Sequence, residues 1–211
     1  MEFNEALSYI NQGNCVLFVG SGFSIGATNS EGLCLPTGSG LAKLFYNECN
    51  ESSDGGNLQD ASDLYVERYG TTALVNRLKE LFTINGPKDI TSDQKFITSL
   101  PWKRVYTTNY DNIVEVGYSC SSKKIYPKVL SDSLLDINDK TKLCIHLNGY
   151  IGSLDESSID KEFKLTDQSY TSEDFIESDW ITLFDIDLKI ADAIFFMGFS
   201  MGTDLDIKRI I

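Results

Sequence analysis

Basic residues are scarce in this sequence, and long apolar runs are absent from it. Lysine and arginine number 18 against 31 acidic residues, so the formal net charge is −13. Because that charge repels phosphate backbones and no Lys/Arg-rich run offsets it, the sequence argues against direct nucleic-acid binding. No stretch reaches the roughly 18 apolar residues of a membrane span, and the first residues are acidic where a signal peptide is basic. We therefore expect a cytoplasmic protein that does not contact membranes.

Cysteine pairs and ATP-binding motifs are also missing. The five cysteines are scattered along the chain, and none forms the CxxC pair of a zinc knuckle or redox site. We therefore predict reduced thiols and no bound metal. A GxxxxGK[ST] sequence is absent too, which argues against an ATPase or a P-loop kinase.

Short apolar runs that alternate with helical patterns make up most of what is present. Cys15–Val19 and Ala193–Met197 are apolar on both faces, which is typical of parallel strands covered by helices on both sides. Shorter strand candidates lie at residues 104–107 and 142–146. Helical spacing occupies residues 3–10, 41–49, 61–69, 71–82 and 175–191. This alternation predicts an α/β fold: a Rossmann-like, mostly parallel sheet with helices on both faces and a helical insertion after the first strand.

The length of 211 residues fits one domain with one substantial core. The last residues, Asp204 to Ile211, have the pattern of an amphipathic helix that stops without a C-cap. We therefore expect a single domain over residues 1–211 that forms the N-terminal part of a longer protein.

A glycine-rich loop, Gly20-Ser21-Gly22-Phe23-Ser24, directly follows the first strand. Glycines let a backbone approach a diphosphate closely, and ligands of open α/β sheets bind at the carboxyl ends of the strands. An ordinary tight turn explains the loop equally well. The dehydrogenase fingerprint is incomplete, because its third glycine position is Ile25.

Polar residues follow two further strands. Thr107-Thr108-Asn109-Tyr110-Asp111 ends one of them, and His146, the only histidine, ends another. If the strands are parallel, these residues lie at the same edge of the sheet as the glycine loop. Asn109 is equally compatible with capping a helix that begins near Ile113. We interpret His146 as a catalytic residue, because a histidine titrates near neutral pH.

Together these motifs resemble the sirtuin family in its four NAD-site signatures, and within it the NAD-cleaving branch of bacterial antiviral defence. The four segments are, in order, Gly20 to Ser24, Thr107 to Asp111, His146 with Gly149, and Gly198-Phe199-Ser200. The resemblance implies that NAD is the substrate and that the loop residues Gly20, Ser21, Gly22 and Ser24 hold its diphosphate. It also implies that Asn109 positions the ribose or the attacking water, Asp111 holds the nicotinamide carboxamide, His146 acts as base, and Gly198 and Ser200 contact the adenosine half.

The sequence departs from protein-deacylating sirtuins in two respects. It has no four-cysteine module, so we predict no zinc-ribbon subdomain, and residues 31–41 lack the arginine that deacylases present there. These departures shift the expected acceptor from an acyl-lysine oxygen to water. The resemblance therefore implies an NAD⁺ hydrolase that makes nicotinamide and ADP-ribose and depletes NAD in abortive antiphage defence. We expect such an activity to be restrained through a homo-oligomer, a C-terminal sensor domain or a separate partner protein.

Two other functions fit parts of the sequence. Residues 198–202 read Gly-Phe-Ser-Met-Gly, the G-x-S-x-G pattern of a hydrolase nucleophile elbow with Ser200 as nucleophile, although no histidine follows it as the usual triad order requires. A regulatory module that binds NAD or ADP-ribose without catalysis would need the glycine loop but not His146.

Overall fold

The computed structural model describes residues 2–53, 56–134, 141–165 and 178–200. Five strands form one parallel sheet in the order β3-β4-β2-β1-β5. The strands are β1 Cys15–Val19, β2 Arg104–Thr107, β3 Tyr126–Val129, β4 Leu143–His146 and β5 Ala193–Met197. The predicted parallel α/β sheet is therefore confirmed, and the bounds of β1, β2 and β5 are those that the apolar runs predict.

Helices connect the strands. They are α1 Phe3–Asn11, α2 Gly38–Glu48, α3 Leu58–Tyr69, α4 Thr71–Phe82, α5 Ser92–Ser99, α6 Ile113–Ser119, α7 Ile159–Glu162 and α8 Asp179–Ile190, with 3₁₀ turns at Ser21–Ser24 and Pro87–Asp89. Side-chain caps begin several of them: Thr37 accepts a hydrogen bond from the Gly40 amide, and Asn57 accepts one from the Asp60 amide. Gly70, at φ 86°, separates α3 from α4, a backbone conformation that favours glycine.

Both faces of the sheet are covered. On one face Phe18 and Tyr106 pack against Phe184 of α8. On the other face Leu17 and Val105 belong to a cluster that includes Ile113 of α6. Because successive strand residues point to opposite faces, these two clusters use alternate positions of the same strands. The predicted helices on both faces are confirmed.

Helices α2 to α4 form a helical layer with a core of its own. Leu41 and Phe45 of α2 and Leu74 of α4 are fully buried there. The segment after β4 adds Ile151 and Phe163 to the same core. The structure thus confirms the helical insertion after the first strand, and it shows that the insertion packs against chain that follows the fourth strand.

The two outer strands differ from the sequence expectation. The sequence did not predict β3, because Pro127 and Lys128 weaken its strand pattern. All five residues of β5 are only half-buried, although the apolar run predicts cover on both faces. The reason is position: β5 is an outer strand of the sheet formed by the described residues.

Two predicted features lie outside the described residues: the helix from Asp204 onward, and Met201 and Gly202 of the G-x-S-x-G pattern. Within the described ranges, no helix is long and apolar enough to cross a membrane.

Candidate nucleotide site

The carboxyl ends of the strands lie in one row across the sheet. Met197, Val19, Thr107 and His146 are neighbours in register. Strand β2 lies on one side of β1 and β5 lies on the other side, so the strand order reverses at β1. In open α/β sheets the crevice at such a switch point is where ligands bind.

The loops that follow β1 and β5 are joined by backbone hydrogen bonds at this point. The Gly22 amide donates to the Gly198 carbonyl at 2.8 Å, and the Gly20 amide donates to the Met197 carbonyl at 3.0 Å. A Cβ on Gly198, whose φ is +63°, would lie 2.0 Å from the Phe23 nitrogen. These glycines are therefore required by loop-to-loop packing, which is a structural reason for the motif beside the predicted contact with a diphosphate.

A cleft of about 560 Å³ opens between the strand ends and the helical layer. This volume lies within the usual range of small-molecule sites. Its sheet-side wall consists of Ser21, Ser24, Thr108, Asn109, Tyr110, Asp111, Asn148, Phe199 and Ser200, and its helix-side wall of residues 36–39, 41–43, 53, 56–59 and 82. Five of the predicted site residues thus line the same wall: Ser21, Ser24, Asn109, Asp111 and Ser200. Gly198 directly precedes Phe199, which lines this wall too.

Asn109 is held by hydrogen bonds on its side chain. Its amide Nδ2 donates to the Gly20 carbonyl and to the Ser24 hydroxyl, both at 2.9 Å. Ser24 in turn donates to Asp111 Oδ2 at 2.6 Å. All three side chains are buried. The alternative that Asn109 caps a helix is wrong, because α6 begins at Ile113 and the Asp111 carboxylate accepts the hydrogen bond from the Ile113 amide.

Asp111 is a carboxyl group in a dry environment. Burial raises its pKa above the usual range, while the hydrogen bonds from Ser24 and the Ile113 amide and the nearby His146 act in the opposite direction. Burial is the largest of these effects, since it removes the water that stabilises a negative charge. An elevated pKa beside a cleft is typical of functional groups.

His146 lies behind Asn109 and is not among the residues that line the cleft. Its side chain is 1% exposed. Nδ1 lies 3.1 Å from the Asn109 carbonyl oxygen, and Nε2 lies 3.1 Å from Glu115 Oε1 on α6. The ring also packs on Tyr150. The structure thus brings His146 next to Asn109 but turns both ring nitrogens toward protein groups, and its role as a base stays a prediction.

Asn148 is a cleft residue that the sequence analysis missed. It is 6% exposed, and its Oδ1 has no hydrogen-bond partner among the described residues. It follows β4 in the turn Leu147-Asn148-Gly149, as Asn109 follows β2. That shared placement after a parallel strand is the signal that would have found it, and a buried amide oxygen without a hydrogen-bond partner is uncommon in folded proteins.

A second cluster, formed by Glu115, Cys144 and His146, lies beneath this wall. Its nitrogen, sulfur and oxygen donor atoms are all within 4.8 Å of one another. Burial raises the pKa of the Cys144 thiol well above its usual value, and the Glu115 charge adds to this effect. Such donors suit zinc, but a closed structural zinc site takes four ligands, and the described part of the chain supplies three. The expectation of no metal stays a prediction.

The Ser200 side chain is exposed at the cleft, as a nucleophile would be. The only histidine, however, directs its two nitrogens at Asn109 and Glu115. A serine hydrolase needs a base within hydrogen-bond reach of its nucleophile. The described residues therefore give Ser200 no histidine partner.

A parallel sheet whose polar strand ends face a cleft at the switch point defines a Rossmann-like α/β domain, the class in which ligands bind at that point. The profile of the SIR2-like domain matches residues 103–211, which include Asn109, Asp111, His146 and Gly198, and the chain belongs to this family. Membership of this family implies that the protein binds NAD. No curated protein matches the chain closely enough to count as a relative.

Proposed function

We propose that this protein hydrolyses the bond between nicotinamide and ribose in NAD⁺, releasing nicotinamide and ADP-ribose. The observation that carries the proposal is the pair Asn109 and Asp111, side by side on the wall of a cleft at the strand ends. Both residues lie in the part of the chain that matches the SIR2-like domain.

The hydrogen bonds of Asn109 indicate which of its atoms acts. A side-chain amide has two N–H donors, and both are used, by Gly20 and Ser24. The amide oxygen Oδ1 is left to accept a hydrogen bond from a ribose hydroxyl or from the attacking water. Holding a nucleophile in place is worth several kcal/mol of the barrier.

Asp111 supplies negative charge near the reacting sugar or accepts a hydrogen bond from the nicotinamide carboxamide. Loss of nicotinamide leaves an oxocarbenium-like ribose, which a carboxylate in a low-dielectric site stabilises more than water would. The Ser21 side chain, exposed at the cleft, would bind the diphosphate beside the glycine loop, in which the Gly20 and Gly22 amides and the Ser24 hydroxyl already donate hydrogen bonds within the protein. The Ser200 hydroxyl, beside Gly198, would contact the adenosine half.

Water is the proposed acceptor because the features that bind acyl-lysine peptides are missing from the sequence: the four-cysteine module and an arginine within residues 31–41. On the same resemblance we place the activity in NAD depletion during antiphage defence. Control would come from self-assembly, or from a sensor domain or partner protein.

Chromatography of NAD incubated with the purified protein tests the proposal. We expect nicotinamide and ADP-ribose to appear in equal amounts, and neither to form with the Asn109→Ala variant. NAD binding measured by calorimetry without any product would instead favour a regulatory NAD-binding module. Ester hydrolysis that disappears in Ser200→Ala would favour the nucleophile elbow.

A further inference from the structure

Lys43 of α2 places a positive charge on the helix-side wall of the cleft. Among the described residues that line the cleft, it is the only one with a cationic side chain. The chain as a whole carries a formal net charge of −13, so its overall field repels an anionic ligand. A dinucleotide, whose diphosphate is negatively charged, therefore gains most from the one local cation in this part of the cleft.

The glycine loop offers the diphosphate hydrogen bonds but no charge. The Gly20 and Gly22 amides donate to backbone carbonyls at the end of β5 and just after it, and the Ser24 hydroxyl donates to Asp111. The Ser21 hydroxyl, which lines the sheet-side wall, is neutral. Hydrogen bonds between neutral groups are weaker than charge-assisted ones. A cation on the other wall would therefore contribute most to holding the diphosphate.

The side chain of Lys43 is available to a ligand. It is exposed, and no carboxylate of the described residues forms an ion pair with it. Both arginines of the helical layer, Arg68 and Arg77, are instead paired with glutamates. Helical ion pairs form between residues three or four apart, and the positions at these spacings from Lys43 hold no acid: Ser39, Gly40, Tyr46 and Asn47.

We propose that Lys43 binds the diphosphate of NAD from the helix-side wall, while the Ser21 hydroxyl binds it from the sheet-side wall. The inference rests on the proposed function, from which it takes the ligand. An ammonium group is a compact charge with several N–H donors on a flexible stem, which suits it to phosphate oxygens. The diphosphate is remote from the bond that breaks, so this contact stabilises the ground state and the transition state alike.

ADP-ribose tests the contact without turnover, because it contains the diphosphate but no nicotinamide. By calorimetry we expect Lys43→Gln to raise the Kd of ADP-ribose about 10- to 100-fold, the effect of one hydrogen bond to a charged group. Lys43→Arg keeps the charge and should stay close to the parental Kd. An unchanged Kd in Lys43→Gln would overturn the proposal.

Lys79 provides the matched control. It is an exposed lysine of α4 in the same helical layer, and it does not line the cleft. Lys79→Gln makes the same change in net charge as Lys43→Gln, and its Kd for ADP-ribose should equal that of the parent. Equal weakening in the two variants would show an effect of net charge alone and would contradict a direct contact.

A ligand with one more phosphate shows which group Lys43 contacts. ADP-ribose 2′-phosphate has the same diphosphate and an additional phosphate on the adenosine ribose. If Lys43 binds the diphosphate, Lys43→Gln weakens the binding of both ligands by the same factor. A loss confined to the 2′-phosphorylated ligand would place Lys43 at that phosphate and overturn the assignment.

Steady-state cleavage of NAD separates this inference from the proposed function. Lys43→Gln should raise KM by the same factor as the Kd of ADP-ribose and leave kcat at the parental value. If the parent cleaves NAD and KM is unchanged in Lys43→Gln, the inference falls and the proposed function stands. If ADP-ribose binding depends on Lys43 but NAD stays intact, only the proposed function falls. A parent that neither binds ADP-ribose nor cleaves NAD overturns both.

Discussion

The two walls of the cleft are built by different physical means. The sheet-side wall is held by hydrogen bonds among Asn109, Ser24 and Asp111 and by backbone contacts between glycine loops. The helix-side wall presents Leu41, Leu58 and similar side chains of a layer that has its own apolar core. Hydrogen bonds fix atoms to a few tenths of an ångström, whereas apolar packing fixes shape and volume. We infer that the sheet-side wall sets the chemistry and the helix-side wall sets how tightly the substrate is held.

The largest expected effect tests the sheet-side wall. Asn109→Ala should lower kcat at least about 10²-fold, because it removes a preorganised polar group from the reacting centre. Asn112→Ala is the matched control: this asparagine bonds the amide and the carbonyl of Ile84 but does not line the cleft. Its loss should cost about 1–3 kcal/mol of stability and leave turnover per folded molecule unchanged. Steady-state kinetics and thermal melting of both variants test this prediction. Equal losses of activity in the two variants would contradict a catalytic role for the sheet-side wall.

A smaller effect is expected at the helix-side wall. Leu58→Ala should raise KM about tenfold with little change in kcat, because it removes apolar contact that is the same in the ground state and the transition state. Leu64→Ala, on the same helix, packs against the core of the helical layer and does not line the cleft, so its KM should stay at the parental value. A drop in kcat for Leu58→Ala would mean that this wall also takes part in the chemistry.

The smallest expected effect is on the stability of the fold. It compares Asp111 of the sheet-side wall with Asp155, which lies in the segment that packs with the helical layer. The raised pKa of Asp111 means that the folded protein keeps this proton at pH values where the unfolded chain has lost it, so stability falls as the pH rises from the unfolded-state pKa to the folded-state pKa. Asp111→Asn should therefore raise the melting temperature at neutral pH, by about 2–4 °C for each kcal/mol recovered. The gain over the parent should shrink as the pH falls toward the ordinary aspartate pKa.

Asp155, in the segment that packs with the helical layer, should change stability with pH in the opposite direction. Hydrogen bonds from Ser157 and Ser158 lower its pKa, so its contribution to stability is present above the unfolded pKa and is lost as the pH falls through the folded pKa. Asp155→Asn should lower the melting temperature at neutral pH, and the difference should disappear in acid. Shifts of the same sign in both variants would contradict the assigned environments.

Much of this site follows from strand-end reasoning. Unbroken apolar runs predict β1 and β5, and the rule that parallel strands end at one edge predicts the meeting of Asn109 and Asp111 with the glycine loop. The orientation of His146 did not follow, although strand alternation places it on the same face as Cys144. Glu115 was beyond reach because the register of α6 on the sheet is a property of tertiary packing.

The paired loops after β1 and β5 carry a lesson for redesign. Gly22 and Gly198 fit against each other with no room for a methyl group, so the two segments tolerate change only in concert, and homologous sequences should vary there as a unit. A library aimed at altered ligand preference would do better to leave the glycines fixed and diversify positions 21 and 200, whose hydroxyl-bearing residues line the cleft.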